Sequence, residues 1–458
     1  MDSGGANSGG LSRRVGLLSA GFLIVANMVG TGIFTTSGYI MQMLADPMLM
    51  LGAWLLGGVI ALAGALSYAE LGARLPRAGG DYAFLNESFG PLWAFLSGWI
   101  SLVVGFSAPI AASAMAAAAY LLQAWPGGAG VVWWRGGLVT ISPESLLALG
   151  FIAALTLVHT RRLAVGLGVQ NLLTALKLLL LVVLVVAGLA LWPAAGVWQA
   201  QAASPPAGHL AGSLALSLIF IFFAYSGFNA AAYLGEEIER PQRNLPLALL
   251  LGTGLVVLLY LLINLAYLAA LGPAGMLGVK EIGALAAKVL FGPRAGGLFS
   301  LAVSFCLLSN IGAMILAGSR VYFAMARDGV FFGALARVPP HSRVPINAVL
   351  LQSLIAAVLV LTASFQALLF YIGFTLSLFA ALTVAGLLLL RRRQPQAPPF
   401  RVPGYPFTPL AFVAVNLGIA GFSLWEEPLR GLPAGLTILA GLVFYFLHRR
   451  LRRPGRPV

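Results

Sequence analysis

The chain has 458 residues, of which 60% are apolar and only 9% charged, with a mean hydropathy of +0.95. So few charges cannot cover the surface of a water-soluble fold, which excludes a soluble enzyme or a soluble binding module. The net charge of +14 invites a nucleic-acid partner, but the cations follow a membrane topology and that reading is excluded.

About twelve apolar runs could each cross a bilayer, near residues 15–42, 47–73, 88–122, 144–158, 165–191, 210–235, 245–271, 296–326, 344–362, 366–390, 406–424 and 431–448. They predict an all-α polytopic membrane protein in contact with lipid on its outer faces. The third and eighth runs are long enough to be tilted, and the fourth is short. Residues 1–11 contain no Lys or Arg and the first run is a full span, so no cleavable signal peptide is expected. Placing successive loops alternately on two sides puts 21 of the 27 Lys and Arg on one side and five on the other, with Lys177 inside a span. By the positive-inside rule the 21 face the cytoplasm, together with both termini. The one cysteine, Cys306, falls within the eighth run, so no intramolecular disulfide is possible.

In chain order, the first run holds A-N-M-V-G-T-G-I-F at residues 26–34. Gly30 and Gly32 flank Thr31 near its middle, where glycine costs helix stability and frees the backbone. Two readings compete at this point: a discontinuous helix whose broken ends bind a small polar ligand, and a small-residue packing face. After the second run, E-L-G-A-R-L-P-R-A-G-G-D-Y at residues 70–82 is a cytoplasmic loop broken by Pro76, Gly79 and Gly80. The third run, rich in Ala and Ser and containing Pro109, predicts a helix at the centre of the bundle. Residues 123–143, with Trp125, Trp133 and Trp134, read as an outer loop anchored at the interface.

The fifth run carries Lys177, 15 residues beyond Arg162, which at about 1.5 Å per residue is roughly 20 Å deeper along a helix. That depth is hard to cover by snorkelling, and an intramembrane lysine normally faces the bundle interior with a partner. Ser309 or Asn310 in the eighth run is the candidate partner, with core hydrogen bonding as the equal alternative. The sixth run supplies a second break: Ser226 and Gly227 sit among bulky residues in F-A-Y-S-G-F-N, and Asn229 follows. It comes five spans after Gly30, and breaks at matching places in two five-span halves point to an inverted-repeat transporter. This favours the broken-helix reading. Glu236 and Glu237 read as a helix end at the membrane surface, paired with Arg240 or Arg243. Residues 274–290 form a weakly amphipathic outer segment or lid, residues 391–409 a proline-rich cytoplasmic loop, and the last two runs lipid-facing or dimer-forming helices. His159, His209, His341 and His448 fall in loops or at span ends without metal-ligand spacing, so no catalytic residue, metal or cofactor is expected.

The chain resembles an amino-acid permease of the amino acid–polyamine–organocation superfamily, nearest its L-type branch. The resemblance rests on V-G-T-G-I-F at residues 29–34, L-P-R-A-G-G-D-Y at 75–82, L-T-A-L-K-L at 173–178, F-A-Y-S-G-F-N at 223–229, E-E-I-E-R-P-Q-R-N-L-P at 236–246 and P-F-R-V-P-G-Y-P at 399–406. It implies a five-plus-five inverted repeat with discontinuous first and sixth helices and two extra helices. The expected division is a tail (1–14), two repeats (15–191 and 192–390), a loop with two helices (391–448) and a basic tail (449–458). It further implies a substrate carboxylate at the backbone N–H groups of Gly30, Thr31 and Gly32, with Val29 in the same substrate site, and an ammonium at carbonyls near Val25, Ala26, Phe223 and Ser226. Gly227, Phe228 and Asn229 would complete the substrate site, with Phe223 as an outer gate. Lys177 would take the place of a sodium ion, bridging the first and eighth helices near Ser309 and Asn310.

The implied function is sodium-independent transport of neutral L-amino acids by alternating access, as an exchanger. Proton symport through Lys177 is the alternative. Cationic amino acids or polyamines are less favoured, because no carboxylate sits at either break. A bacterial inner membrane is the expected location. The loop after the third run lacks the cysteine by which L-type permeases join a glycoprotein heavy chain, so no such partner is expected. Phe228 stands where many large-neutral transporters of this branch have tryptophan.

Overall fold

The structure, a computed structural model, describes residues 11, 13–123, 131–137, 139–190, 210–394, 398–426 and 432–451. The first run is broken, into α1 (Leu17–Met28), α2 (Thr31–Thr35) and α3 (Ser37–Leu44). Helix α4 (Pro47–Arg74) starts at Asp46, whose carboxylate accepts the Leu49 N–H at 2.8 Å, with Pro47 in the first turn. Both features suit a helix start, since the first N–H groups lack intrahelical acceptors. The glycine-broken loop leads into α5 (Asp81–Ser88). The third run is α6 (Pro91–Ile100), a π-helical stretch (Ser101–Ser107) and α7 (Ala108–Gln123), with Pro109 just past the widened turns. A proline has no N–H to continue the ladder, which accounts for an irregularity at this point.

A two-stranded hairpin follows, β1 (Trp134–Gly136) with β2 (Val139–Ile141), where only a loop was expected. It exposes Trp133 and Trp134, and Trp125 lies outside the described residues. Helix α8 (Pro143–Arg161) reaches spanning length behind a capping box formed by Ser142 and Ser145. Helix α9 (Leu163–Ala190) buries Gln170, Thr174, Lys177, Leu181 and Leu184 and exposes Leu172, Leu176, Leu179, Val183 and Val186. That spacing of three and four marks one face toward the protein and one toward lipid.

The sixth run is α10 (Leu210–Tyr225), an irregular break, and a short 3-10 turn (Ala230–Tyr233). The chain continues through α11 (Pro241–Met276, kinked at Gly272), α12 (Ile282–Phe291), α13 (Pro293–Arg327), α14 (Ile346–Thr362), α15 (Phe365–Arg393), α16 (Phe407–Glu426) and α17 (Leu432–Leu451). Among the described residues, nine helical stretches are long and apolar enough to cross a membrane. Shorter apolar helices at Gly212–Tyr225, Ile346–Thr362 and Phe407–Phe422 account for the sixth, ninth and eleventh expected runs. The protein is thus an all-α polytopic membrane protein, with α1 packed among α9, α11 and α13, and α10 against α4 and α15.

Two expectations need correction. Glu236 and Glu237 do not pair with Arg240 or Arg243. Arg320 of α13 instead donates to both Glu237 carboxylate oxygens at 2.7 and 3.0 Å, with both side chains fully buried. Arg327 donates to Glu236 at 2.9 and 2.8 Å. Packing of α13 against the segment after the second break brings these groups together, and no local rule in sequence anticipates that. The last two helices are also not both peripheral: α16 places Phe412, Asn416 and Ile419 on the central cavity, while α17 packs outside α6. The outer segment at 274–290 is packed on the bundle: Gly278 N–H donates to the Gly38 carbonyl at 3.0 Å, and Ile282, Ala286 and Ala287 are buried. Of the expected tails, residues 1–10 and 452–458 lie outside the described residues, as does His209.

Candidate functional site between the two helix breaks

The two breaks face one another across a cavity of about 110 Å³. A water needs about 10–15 Å³ by this measure, so the space has room for more than a single water. Asn27, Gly30, Thr31 and Gly32 line it from the first break, and Phe223, Ser226, Gly227, Phe228 and Asn229 from the second. Val25, Ala26, Val29, Lys177 and Ser309 stand behind this lining, not on it.

Close approach explains the glycines. A Cβ on Gly32 would lie 2.7 Å from Ala224 Cα, and one on Gly227 would lie 2.6 Å from Asn27 Oδ1. Gly227 also has a φ of 91°, which side chains disfavour. Replacing Gly227 with alanine is expected to cost about 1–3 kcal/mol from the backbone conformation alone. Thermal unfolding of the purified protein checks this; an unchanged melting temperature would mean that the break accommodates a side chain.

The freed backbone groups are largely recaptured by side chains. Lys177 Nζ, fully buried on α9, donates to the Ala26 carbonyl at 3.1 Å and the Val29 carbonyl at 2.5 Å. Asn310 Nδ2 from α13 donates to the Ala26 and Asn27 carbonyls at 3.1 and 2.8 Å, and Asn310 Oδ1 accepts from Ser113. Asn310 is therefore not a direct partner of Lys177; the two share the Ala26 oxygen. Nor is Ser309 bonded to Lys177: its hydroxyl donates to the Cys306 carbonyl at 2.8 Å, and the Lys177 bonds go to Ala26 and Val29. The Tyr260 hydroxyl lies between the Met28 and Ala224 carbonyls, at 2.8 and 3.0 Å, and so ties the two broken helices together.

These bonds bear on where an ammonium could sit. The Val25 carbonyl accepts from Val29 N–H, and the Phe223 carbonyl from both the N–H and the hydroxyl of Ser226. Gly30, Thr31 and Gly32, at the start of α2, line the cavity, and the first N–H groups of a helix have no acceptor within it, which suits a carboxylate.

Sequence reasoning missed several groups on the cavity, among them Asn27, Asn416 and one carboxylate. Asp81 lines the cavity, and its Oδ2 accepts from Tyr233 OH at 2.7 Å; Asn229 Nδ2 donates to that same hydroxyl at 3.2 Å. The G-G-D-Y stretch was visible, but only folding brings it below the second break.

Comparison with known proteins follows the same outline. A family model described as amino acid permease matches residues 15–443. The mouse protein named large neutral amino acids transporter small subunit 2 is 32% identical, over 96% of this chain and 83% of the relative. The serine/threonine exchanger SteT of Bacillus subtilis is 29% identical, over 96% and 98%. The mouse b(0,+)-type amino acid transporter 1 is 29% identical, over 95% and 88%.

Proposed function

Because the chain belongs to the amino acid permease family, as an L-type-like member, we propose that it is a sodium-independent exchanger of neutral L-amino acids. The observation that carries this reading is Lys177, whose amino group bonds the Ala26 and Val29 carbonyls at the first break. A tethered donor there does what a bound sodium ion would do, so no ion need be carried. The α2 amides would receive the substrate carboxylate, and the second break the ammonium. Phe228, edge-on to Tyr68 and Phe412 at 5.5 and 5.8 Å, would limit the side chain. The names of the mouse and Bacillus subtilis relatives support neutral substrates and exchange.

Residues 15–191 and 192–390 are read as the two inverted halves, with the arginine-rich face toward the cytoplasm of a bacterial cell. Cys306 is buried in α13, which supports a protein that works without a disulfide-linked heavy chain. Proton symport through Lys177 remains the second reading, favoured by that side chain's burial at the break.

The test is uptake of labelled L-alanine, L-serine and L-leucine into sodium-free proteoliposomes. Uptake is expected only when unlabelled amino acid is present inside. Uptake into empty vesicles driven by an inward proton gradient would replace exchange by symport, and no uptake of any amino acid would sink the substrate class.

A further inference from the structure

Asp81 begins α5 and is 7% exposed, yet it lines the central cavity. None of the ion pairs among the described residues involves it. Its Oδ2 holds the Tyr233 hydroxyl, while Oδ1 is buried with no hydrogen-bond partner. Tyr68 OH and Thr383 Oγ1 are buried beside the carboxylate and interact with it, though neither makes a hydrogen bond of good geometry. An ionised carboxylate taken from water without a cation costs far more than the neutral acid. A protonated Oδ1 would find in Tyr68 and Thr383 two oxygens able to accept its hydrogen. Burial pushes the Asp81 carboxyl up from the ordinary carboxylate range, against the pull of the Tyr68, Tyr233 and Thr383 hydroxyls.

The groups around it are accounted for. Tyr68 of α4 and Tyr233 of the 3-10 turn are the titratable groups facing Asp81, and α15 contributes the uncharged Thr383. On α13, Arg320 is committed to Glu237 and Asp328 accepts from Tyr82, at 2.9 Å in the latter case. On its own helix, Glu87 accepts from Gln394.

Position links this carboxyl to the arginine-rich face. The Tyr233 carbonyl accepts from Gly79 N–H at 3.1 Å, so the loop holding Asp81 is tied to the 3-10 turn. Three and four residues on, Glu236 and Glu237 bond Arg327 and Arg320, and the Glu237 carbonyl accepts from Arg14 and Val15 N–H, both at 2.9 Å. These bonds tie the turn, and the hydroxyl that Asp81 holds, to α13 and to the residues before α1 on this face.

We propose that Asp81 is a proton-binding site of the transport cycle, holding a proton while the arginine-rich face is sealed and releasing it when the turn carrying Tyr233 withdraws. On release the O–H bond of the carboxyl breaks, the proton passes to water admitted from the opened side, and a carboxylate remains. The proposal rests on the transport reading above, and its test separates the two.

Purified protein in lipid nanodiscs is titrated by infrared spectroscopy, and amino-acid exchange is measured in proteoliposomes from mildly acidic to mildly alkaline pH. A protonated-carboxyl band is expected at neutral pH and is expected to be missing in Asp81→Asn. Wild-type exchange should vary several-fold over the range, while Asp81→Asn exchange stays flat. Tyr233→Phe keeps Asp81 but removes a donor that favours the ionised form, so its band should persist to higher pH. This second variant decides the matter if Asp81→Asn does not fold. A wild type without the band at any pH would overturn the proposal, as would an Asp81→Asn variant with unchanged pH dependence. A flat wild-type profile with lysine uptake that requires Asp81 would overturn it in favour of a site for cationic side chains. If the wild type exchanges no amino acid at all, the transport reading fails, and the infrared titration still decides whether Asp81 holds a proton.

Discussion

Replacing Lys177 with methionine is expected to reduce exchange at least about a hundredfold, the largest loss for any single side chain near the cavity. The lysine makes two hydrogen bonds to α1, at 3.1 and 2.5 Å, from a fully buried position. Bonds of this type contribute about 1.5–3 kcal/mol each when the donor is charged, so losing both exceeds the roughly 2.7 kcal/mol that separates a hundredfold. Methionine fills much of the same volume, which limits cavity formation as a competing cause. The Ala26 carbonyl would keep Asn310, whereas the Val29 carbonyl would lose its bond from Lys177. Damage should therefore concentrate at the start of α2, where the cavity meets the first break. Arginine should not rescue, because its planar fork is longer and cannot reproduce one amino group between two carbonyls. Exchange per amount of protein in the membrane measures the effect. A methionine variant within twofold of wild type would remove Lys177 from the mechanism.

Replacing Arg320 with methionine is expected to destabilise the protein by about 3–5 kcal/mol, because it strands Glu237 as an unpaired buried charge. The pair is bidentate, both side chains are fully buried, and Arg320 also bonds the Leu316 carbonyl and the Ser319 hydroxyl. The neighbouring pair of Arg327 with Glu236 gives the contrast. Its side chains are 38% and 25% exposed, so its loss should cost no more than about 1 kcal/mol. Glu237→Gln combined with Arg320→Met should recover part of the single-variant loss, since no full charge is then left buried. Thermal unfolding of the four proteins in one detergent checks the ranking. If Arg327→Met proved as damaging as Arg320→Met, burial would not be what makes the pair matter.

Much of this architecture is legible in the amino-acid sequence. The spans follow from runs without charge, because a bilayer admits only segments that satisfy their own backbone. Gly32 and Gly227 mark the breaks: a Cβ on either would lie within 2.7 Å of a neighbouring atom, and Gly227 also has a φ of 91°. The inward orientation of Lys177 follows from the cost of an amino group in lipid.

What only the tertiary structure decided is which group each of these meets. Lys177 takes the Ala26 and Val29 carbonyls and not Ser309 or Asn310. Glu237 takes Arg320, 83 residues away, rather than the nearby Arg240 or Arg243. Asp81, which lies in a loop by sequence, enters the cavity through Tyr233, 152 residues on. Hydropathy and glycine placement are local properties, set within a turn or a span. The partner of a buried polar group depends on which helices pack side by side, and that is settled only when the whole bundle closes around it.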